Sequence, residues 1–540
     1  MIYIKSKSEN NLWLEINKKG ELTKELIVLF IFTFSYGTAV NLHHYTFRYW
    51  GYSVRRCEIP VLEDSFNFDQ VLDISTYGVT PEVRFPGSII YCKYADRDYN
   101  SLLKSNNNNY ESIMKSLRID KTPFNEKTCA YKIKERRLEP QLSLLSKSFQ
   151  NIFDERNKTC KDFKYYRITQ KSQFLGVIFG ALSMSTLADR YGRRPIFIGC
   201  YICEFLGLLL FFVPFVSCMI LGNFLTGIGL YGFLVLYIIL TERCDRKRRL
   251  ILGTSVLVCI PLSKIIGVII EVVGNKWMYP IITSLTILTI IAPVIHWFVD
   301  EPPKYLMYSG RVQKCIKVLE KYGYRRDTAS NVPKMPVIST TFIATRFFHA
   351  KLRARHAYSF FLSYLLSIVG VIHETHAVIT GKFDMTVANI LTGIFECIHI
   401  GIMCFIISRD LYGRKDFIFT FFLTMTLTHM FVFAQYDRTE LFISVLFLFV
   451  YSLGHAGLYF LLFYYMELYP TRIRVSCLCL NVLGISFGVL TSIGLSSLNL
   501  DPLATVFFPE FVASTICWLM SCFACETVGI DIPDNLRETP

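Results

Sequence analysis

Apolar residues in this chain are gathered into long blocks, and the polar positions fall between the blocks rather than alternating within them. Stretches such as Ile196 to Leu240 and Leu441 to Met466 contain almost no charge. A run of about 18–20 such residues is long enough to cross a bilayer as a helix. The pattern predicts spans at 24–42, 170–188, 196–216, 219–240, 250–272, 278–299, 357–379, 386–407, 417–434, 441–465, 476–497 and 504–524. These twelve helices define an all-α membrane protein, interrupted by two long polar segments.

The basic residues then orient the spans. Lys18, Lys19, Arg190, Arg193, Arg194, the Arg243 to Arg249 cluster, Arg409, Arg414, Lys415, Arg472 and Arg474 all fall on one side. The short loops of the other side offer only Lys276, Lys382 and Arg438. Cytoplasmic loops collect lysine and arginine, so both termini are expected in the cytoplasm. The net charge of +14 follows from this topology and from anionic inner-leaflet lipid, without nucleic acid as a partner. The chain is 52% hydrophobic and only 19% charged, against about a quarter charged in soluble domains. No cleavable leader pattern opens the sequence, and the first span is expected to serve as the insertion signal.

A set of charged signatures occurs twice. Asp189-Arg190-Tyr191-Gly192-Arg193 returns 221 residues later as Asp410-Leu411-Tyr412-Gly413-Arg414. Glu242 with Arg249 returns as Glu467 with Arg474, and Glu301 as Glu526, both 225 residues later. Each copy sits at the same place relative to its spans, so the chain reads as two like-oriented six-helix halves, residues 1–299 and 356–540. Parallel repeats of this kind are the architecture of secondary transporters that rock around a site held between the halves. The fold expected is two pseudo-symmetric bundles working by alternating access.

The doubled motifs carry chemistry suited to a gate. Gly192 allows a tight turn and Pro195 suits the first turn of the next helix. Asp189 with Arg190, Arg193 and Arg194 can make charge-assisted bonds that latch the inner face. Glu242, Arg249, Glu301, Asp410, Arg414, Glu467 and Arg474 extend the same network. Each solvated pair is worth about 1 kcal/mol or less, yet several acting together bias which way a carrier faces.

The first polar segment, 43–169, is expected outside the cell. It contains Cys57, Cys92, Cys129 and Cys160, which favour two disulfides among three possible pairings, and a glycosylation sequon at Asn157. The second, 300–355, joins the halves on the inner side. There Val312, Ile316 and Leu319 at helical spacing predict an amphipathic helix, in a segment that either contributes to the gate or only spaces the halves.

Several ionisable residues fall at membrane depth, where they are costly and mark functional sites. They are Glu204, Lys264, Glu271, His373, Glu374, His376, Glu396, His399 and His455. His455, beside Gly454 and Gly457, is a candidate for proton coupling, with a neutral core histidine as the alternative. His373, Glu374 and His376 do not complete a tetrahedral metal set, so no metal site and no cofactor are expected. No nucleophile–base pair or cofactor loop appears in either polar segment, which argues against an enzyme.

The motifs resemble those of the organic cation and organic anion transporters of the major facilitator superfamily. The resemblance rests on Cys57-Glu58-Ile59-Pro60, Leu187-Ala188-Asp189-Arg190-Tyr191-Gly192-Arg193-Arg194-Pro195, Glu301-Pro302-Pro303-Lys304-Tyr305-Leu306 and Glu526-Thr527-Val528-Gly529. Most specific is Glu467-Leu468-Tyr469-Pro470-Thr471-Arg472-Ile473-Arg474, together with the large cysteine-bearing first loop. Some of these motifs also occur in sugar porters. The resemblance implies a polyspecific plasma-membrane carrier of small organic ions, with an aromatic cavity between the halves. Aromatic cavity positions fall on Phe233, Tyr364 and Tyr459, and an acidic position on Glu396. An aromatic wall favours cations by about 0.5–2 kcal/mol per contact.

The chain also departs from the family. Ser486 stands where cation carriers have an aspartate, Asn223 where an arginine is usual, and Val371 where an aromatic is usual. The expectation is therefore a mild preference for cations or carnitine-like zwitterions, with Lys264 pointing the other way. A porter of sugars or other neutral solutes and a transport-dead receptor or scaffold are the competing readings.

Overall fold

The computed structural model describes residues 21–42, parts of 53–137, and residues 163–321, 340–379, 385–409, 412–434, 441–495 and 508–527, apart from 214, 245 and 275–277. Cys92, Cys129, Cys160, Asn157 and Asp410 lie outside the described residues, as do the side chains of Cys57, His373, Glu374 and His376.

The apolar blocks fold as helices labelled here in chain order. The first half comprises α1 (Glu21–Leu42), α2 (Phe163–Tyr191), α3 (Arg193–Leu210), α4 (Val216–Arg243), α5 (Arg246–Val256), α6 (Cys259–Gly274) and α7 (Met278–Phe298). The second half comprises α8 (Ala350–Ile379), α9 (Met385–Ser408), α10 (Arg414–Ala434), α11 (Leu441–Leu468), α12 (Arg474–Leu495) and α13 (Phe508–Ser521). Helix lies over every expected span, and helices satisfy their own backbone groups where no water can. Among the described residues, seven segments are long and apolar enough to cross a membrane: Lys24–Leu42, Val216–Arg243, Arg248–Gly274, Met278–Ile295, Val387–Ser408, Val445–Leu468 and Thr471–Ser492.

One expected span, 250–272, is broken into α5 and α6. Pro261 carries no amide hydrogen, and the amides of Leu257, Val258 and Ile260 tighten to carbonyls three residues back, at 3.2 Å each. The break falls just before Lys264.

The all-α expectation needs one correction, confined to the first polar loop. Its described residues contain six short strands: β1 (Ser53–Cys57), β2 (Val83–Phe85), β3 (Ser88–Ile90), β4 (Lys93–Ala95), β5 (Glu126–Thr128) and β6 (Ile133–Arg137). Four of them form a sheet in the order β2-β3-β1-β6, in which β1 runs parallel to β3 and antiparallel to β6. Strands β4 and β5 pair separately. These strands are three to five residues long, too short for polar–apolar alternation to stand out in the sequence. Beside them, Ile59, Leu62, Val71, Ile74, Tyr99, Leu103, Ile113 and Leu117 make a small core of their own. Tyr110 donates to Asp73 at 2.6 Å, a bond that pushes its phenol up to about 12.

The two halves meet along α2 against α12 and along α5 and α6 against α9. A main core of buried side chains runs through both halves and includes Tyr36, Phe197 and Tyr231 on one side and Phe460, Tyr464 and Leu478 on the other. The linker forms three short helices, Pro303–Tyr308, Val312–Lys321 and Thr340–Phe347. The second is the amphipathic helix expected from its pattern, with Cys315 and Leu319 buried.

Candidate functional site

The turn between α2 and α3 shows how the doubled motif is built. Gly192 sits at φ +123°, a conformation that side chains other than glycine rarely adopt. Its backbone leaves room for the carboxylate of Glu301, which accepts the amide hydrogen of Arg194 at 2.9 Å. The second half repeats the arrangement. Glu526 accepts the amides of Arg414 at 2.9 Å and Lys415 at 3.2 Å. The third helix of each half therefore begins against a carboxylate delivered from after its last long helix, where the helix dipole favours negative charge. Burial pushes the Glu301 carboxyl above its ordinary range, against the pull of the Arg193 and Arg194 amides.

The inner charge network joins the halves. Asp189, fully buried, accepts both the amide and the hydroxyl of Ser476 at 2.8 Å, so α2 caps the start of α12. Arg193 donates to the carbonyl of Thr471 at 2.8 Å and pairs with Glu242. Glu242 also pairs with Arg474 of the other half. Arg474 is held in turn by the Tyr469 carbonyl and the Thr471 hydroxyl, both at 3.1 Å. Within the second half, Arg414 lies 3.7 Å from Glu467, which accepts from Thr527 at 2.8 Å. Arg249 is buried in the same region. Glu242 thus engages Arg193 and Arg474, rather than only the arginine seven residues along its own chain.

The linker is part of this assembly. Tyr305 donates to the Asp189 carbonyl at 2.8 Å and lies under the Arg193 guanidinium at 4.6 Å. Burial raises its phenol. Arg311 donates to the carbonyls of Tyr191 and Arg190. Asp300 receives Arg194 at 3.7 Å and Lys321 at 2.5 Å. Further on, Phe342 lies 5.3 Å from both Arg346 and Arg472. Ser476 and Asp300 stand in no motif of the sequence; Tyr305 and Thr471 stand in motifs whose charged members alone are singled out there.

A second group of ionisable side chains meets inside the molecule. Glu396 of α9, fully buried, lies 3.6 Å from the Lys264 ammonium of α6. His455 Nδ1 lies 3.0 Å from the same oxygen, Oε1, and the Tyr459 hydroxyl donates to Oε2 at 3.4 Å. Lys264 stands over the Tyr451 ring at 4.9 Å, and Tyr451 packs on His455 at 4.4 Å. The packing that permits this is local. At Gly393, one turn before Glu396, a side chain would run into Ile265 and the Pro261 carbonyl. Without one, α6 and α9 approach closely enough for the pair to form.

The remaining candidates are spread around this group. Tyr364 stacks on Phe360 and donates to Thr491 at 3.2 Å. The Ser486 hydroxyl turns back to the Val482 carbonyl of its own helix at 2.9 Å. Phe233 is buried in the core beside Tyr237. Asn223 is buried in α4. The structure thus gathers Glu396, His455 and Tyr459 and adds Lys264 and Tyr451 to them. Phe233, Tyr364 and Ser486 have other immediate partners.

The helical fold and the family match together make this a membrane transporter of the major facilitator type. A profile of the sugar (and other) transporter family matches residues 140–532, well over half of the chain, and the chain belongs to that family. Among curated proteins it is similar to organic anion transporter 3 of Oryctolagus cuniculus, 25% identical over 174 residues, 32% of each chain. Solute carrier family 22 member 3 of Mus musculus is 26% identical over 172 residues, 32% of this chain and 31% of that protein. The organic cation transporter-like protein of Drosophila melanogaster is 26% identical over 234 residues, 43% of this chain and 37% of that protein. The matched segments span about a third of these relatives. Among solved structures, the proton:xylose symporter XylE bound to 6-bromo-6-deoxy-D-glucose superposes with a TM-score of 0.56 at 14% identity, over 70% of this chain and 89% of that one. That likeness concerns the fold. The relatives are transporters rather than enzymes, and their class takes small-molecule substrates.

Proposed function

We propose that the protein moves small organic ions across the plasma membrane by alternating access, as twelve spans in two halves, 1–299 and 356–540, with both termini cytoplasmic. The observation that carries the reading is the meeting of Lys264, Glu396 and His455 from opposite halves in the buried interior. Charges at that depth are expensive to keep and are retained where they act on a substrate or an ion path. The aromatic rings of Tyr451 and Tyr459 beside them suit cationic groups, and Tyr364, Phe233 and Ser486 complete the candidate lining. The similarity to proteins named as organic anion and organic cation transporters supports the same class.

The inner network of Asp189, Arg193, Glu242 and Arg474 holds the cytoplasmic ends together in this arrangement, one end state of a rocking cycle. The extracellular loop, 43–169, and the linker, 300–355, would move with the halves that they flank. A neutral-solute porter is the second reading, favoured by one specific observation: Lys264 offsets the charge of Glu396 and leaves the centre without a strong net sign.

Uptake of radiolabelled tetraethylammonium, carnitine, para-aminohippurate and glucose in cells expressing the chain tests these readings. Saturable uptake of one or more of the ions is the expected result. Uptake of glucose alone would transfer the assignment to a sugar porter. No uptake of any probe at normal surface abundance would leave a receptor or scaffold.

A further inference from the structure

The Lys264–Glu396 pair has features that a structural strut does not need. Each side chain is buried, and the two come from opposite halves. The third member, His455, retains 16% of its side-chain exposure, whereas Glu396 beside it retains none. An interior charge is tolerated in proportion to the opposite charge beside it, and removing one partner of a buried pair leaves the other uncompensated. Lysine holds its partner as a point charge on a flexible stem, with no fork to lock it in place. An ammonium 3.6 Å from one carboxylate oxygen is therefore placed where a substrate cation could take its position. By the same geometry, a substrate anion could take the position of Glu396 against Lys264 and the Tyr451 ring.

We propose that Lys264 and Glu396 determine the charge selectivity of the carrier, each occupying the seat that a substrate ion of its own sign would take against the other. This rests on the transport reading above and goes beyond it by assigning both signs of selectivity to one pair. His455 and Tyr459 are positioning residues here. Their hydrogen bonds hold the Glu396 carboxylate in place whether Lys264 or a substrate cation faces it.

The experiment compares tetraethylammonium and para-aminohippurate uptake in wild type, Lys264→Gln, Glu396→Gln and the Lys264→Gln/Glu396→Gln double variant. It is run at mildly alkaline pH, where an ordinary histidine is neutral, with surface abundance measured in parallel. In Lys264→Gln the uptake ratio of cation to anion is expected to rise about tenfold, and in Glu396→Gln to fall about tenfold. The double variant buries no lone charge and is expected at the surface, with uptake of both ions down about tenfold. If a single variant does not reach the surface, the double variant decides. Its retention of wild-type uptake of both ions overturns the proposal, as does a single-variant ratio that stays put or moves the same way in both. Absent uptake by wild type overturns the transport reading and this inference together. Intact wild-type uptake with unshifted variants overturns this inference alone.

Discussion

The cluster around Glu242 and the cluster around Glu396 each set one carboxylate between nitrogen donors supplied by both halves. Glu242 belongs to the first half and receives Arg193 from its own half and Arg474 from the other. Glu396 belongs to the second half and receives His455 from its own half and Lys264 from the other. The two differ in the cations they use. At the inner face the guanidiniums reach past the carboxylate to the Thr471 and Tyr469 carbonyls and the Thr471 hydroxyl. A planar fork with several donors makes a clamp. In the interior, one ammonium and one imidazole share a single oxygen, and the other oxygen takes a tyrosine hydroxyl at 3.4 Å. That set is easier to exchange. Under the transport cycle proposed above, the clamp would close one end and the exchangeable set would serve the middle.

The sharpest way to break this contrast is Arg474→Ala. It removes the cross-half partner of Glu242 and leaves a buried carboxylate with Arg193 alone. Loss of one member of a buried pair costs about 3–5 kcal/mol, so sharply reduced surface abundance and a lower melting temperature of the solubilised protein are expected. Arg474→Lys should recover little, because an ammonium cannot reach Tyr469, Thr471 and Glu242 together. An unchanged melting temperature in Arg474→Ala would mean that the inner cluster is no clamp.

A smaller effect is expected from Gly192→Ala. A side chain at φ +123° is strained, and it would also meet the Glu301 carboxylate. The cost of such a backbone is about 1–3 kcal/mol, read as a fall in melting temperature. A stability equal to wild type would remove the turn from the list of requirements.

The smallest effect concerns pH at Glu301. Burial holds its carboxyl above the ordinary 4.5, so folding favours the protonated form. Its pH-dependent contribution is fully present below 4.5 and is lost as the pH rises through the folded-state value. Acidification from neutrality down to 4.5 should therefore stabilise wild type relative to Glu301→Gln. Melting curves of the two proteins that stay parallel across that range would contradict it.

The sequence reached the inner cluster further than the interior one. Its acids and arginines stand in short motifs that occur twice, 221 or 225 residues apart, and that repetition sets them apart from scattered charge. The bonds that Asp189 makes to Ser476, and Arg193 to Thr471, could not be read in the same way. They join residues 287 and 278 positions apart through a hydroxyl, an amide and a carbonyl that every sequence contains. The interior cluster was visible only as separate ionisable residues at membrane depth. Lys264 looked like evidence against a cation site, whereas the structure places it as the partner of Glu396. The strands of the first loop were missed because segments of three to five residues carry too little periodicity.

What the chain determines by itself is whatever follows from solvent and local geometry. Long apolar blocks become helices, basic residues give an expected orientation, a duplicated motif gives an expectation of two like halves, and a turn at positive φ calls for Gly192. Tertiary structure alone decided which charges meet. The bare backbone of Gly393 lets α6 lie against α9. Coulomb attraction falls off with distance and rises as water is excluded, so an ion pair exists only once packing has brought two distant helices together.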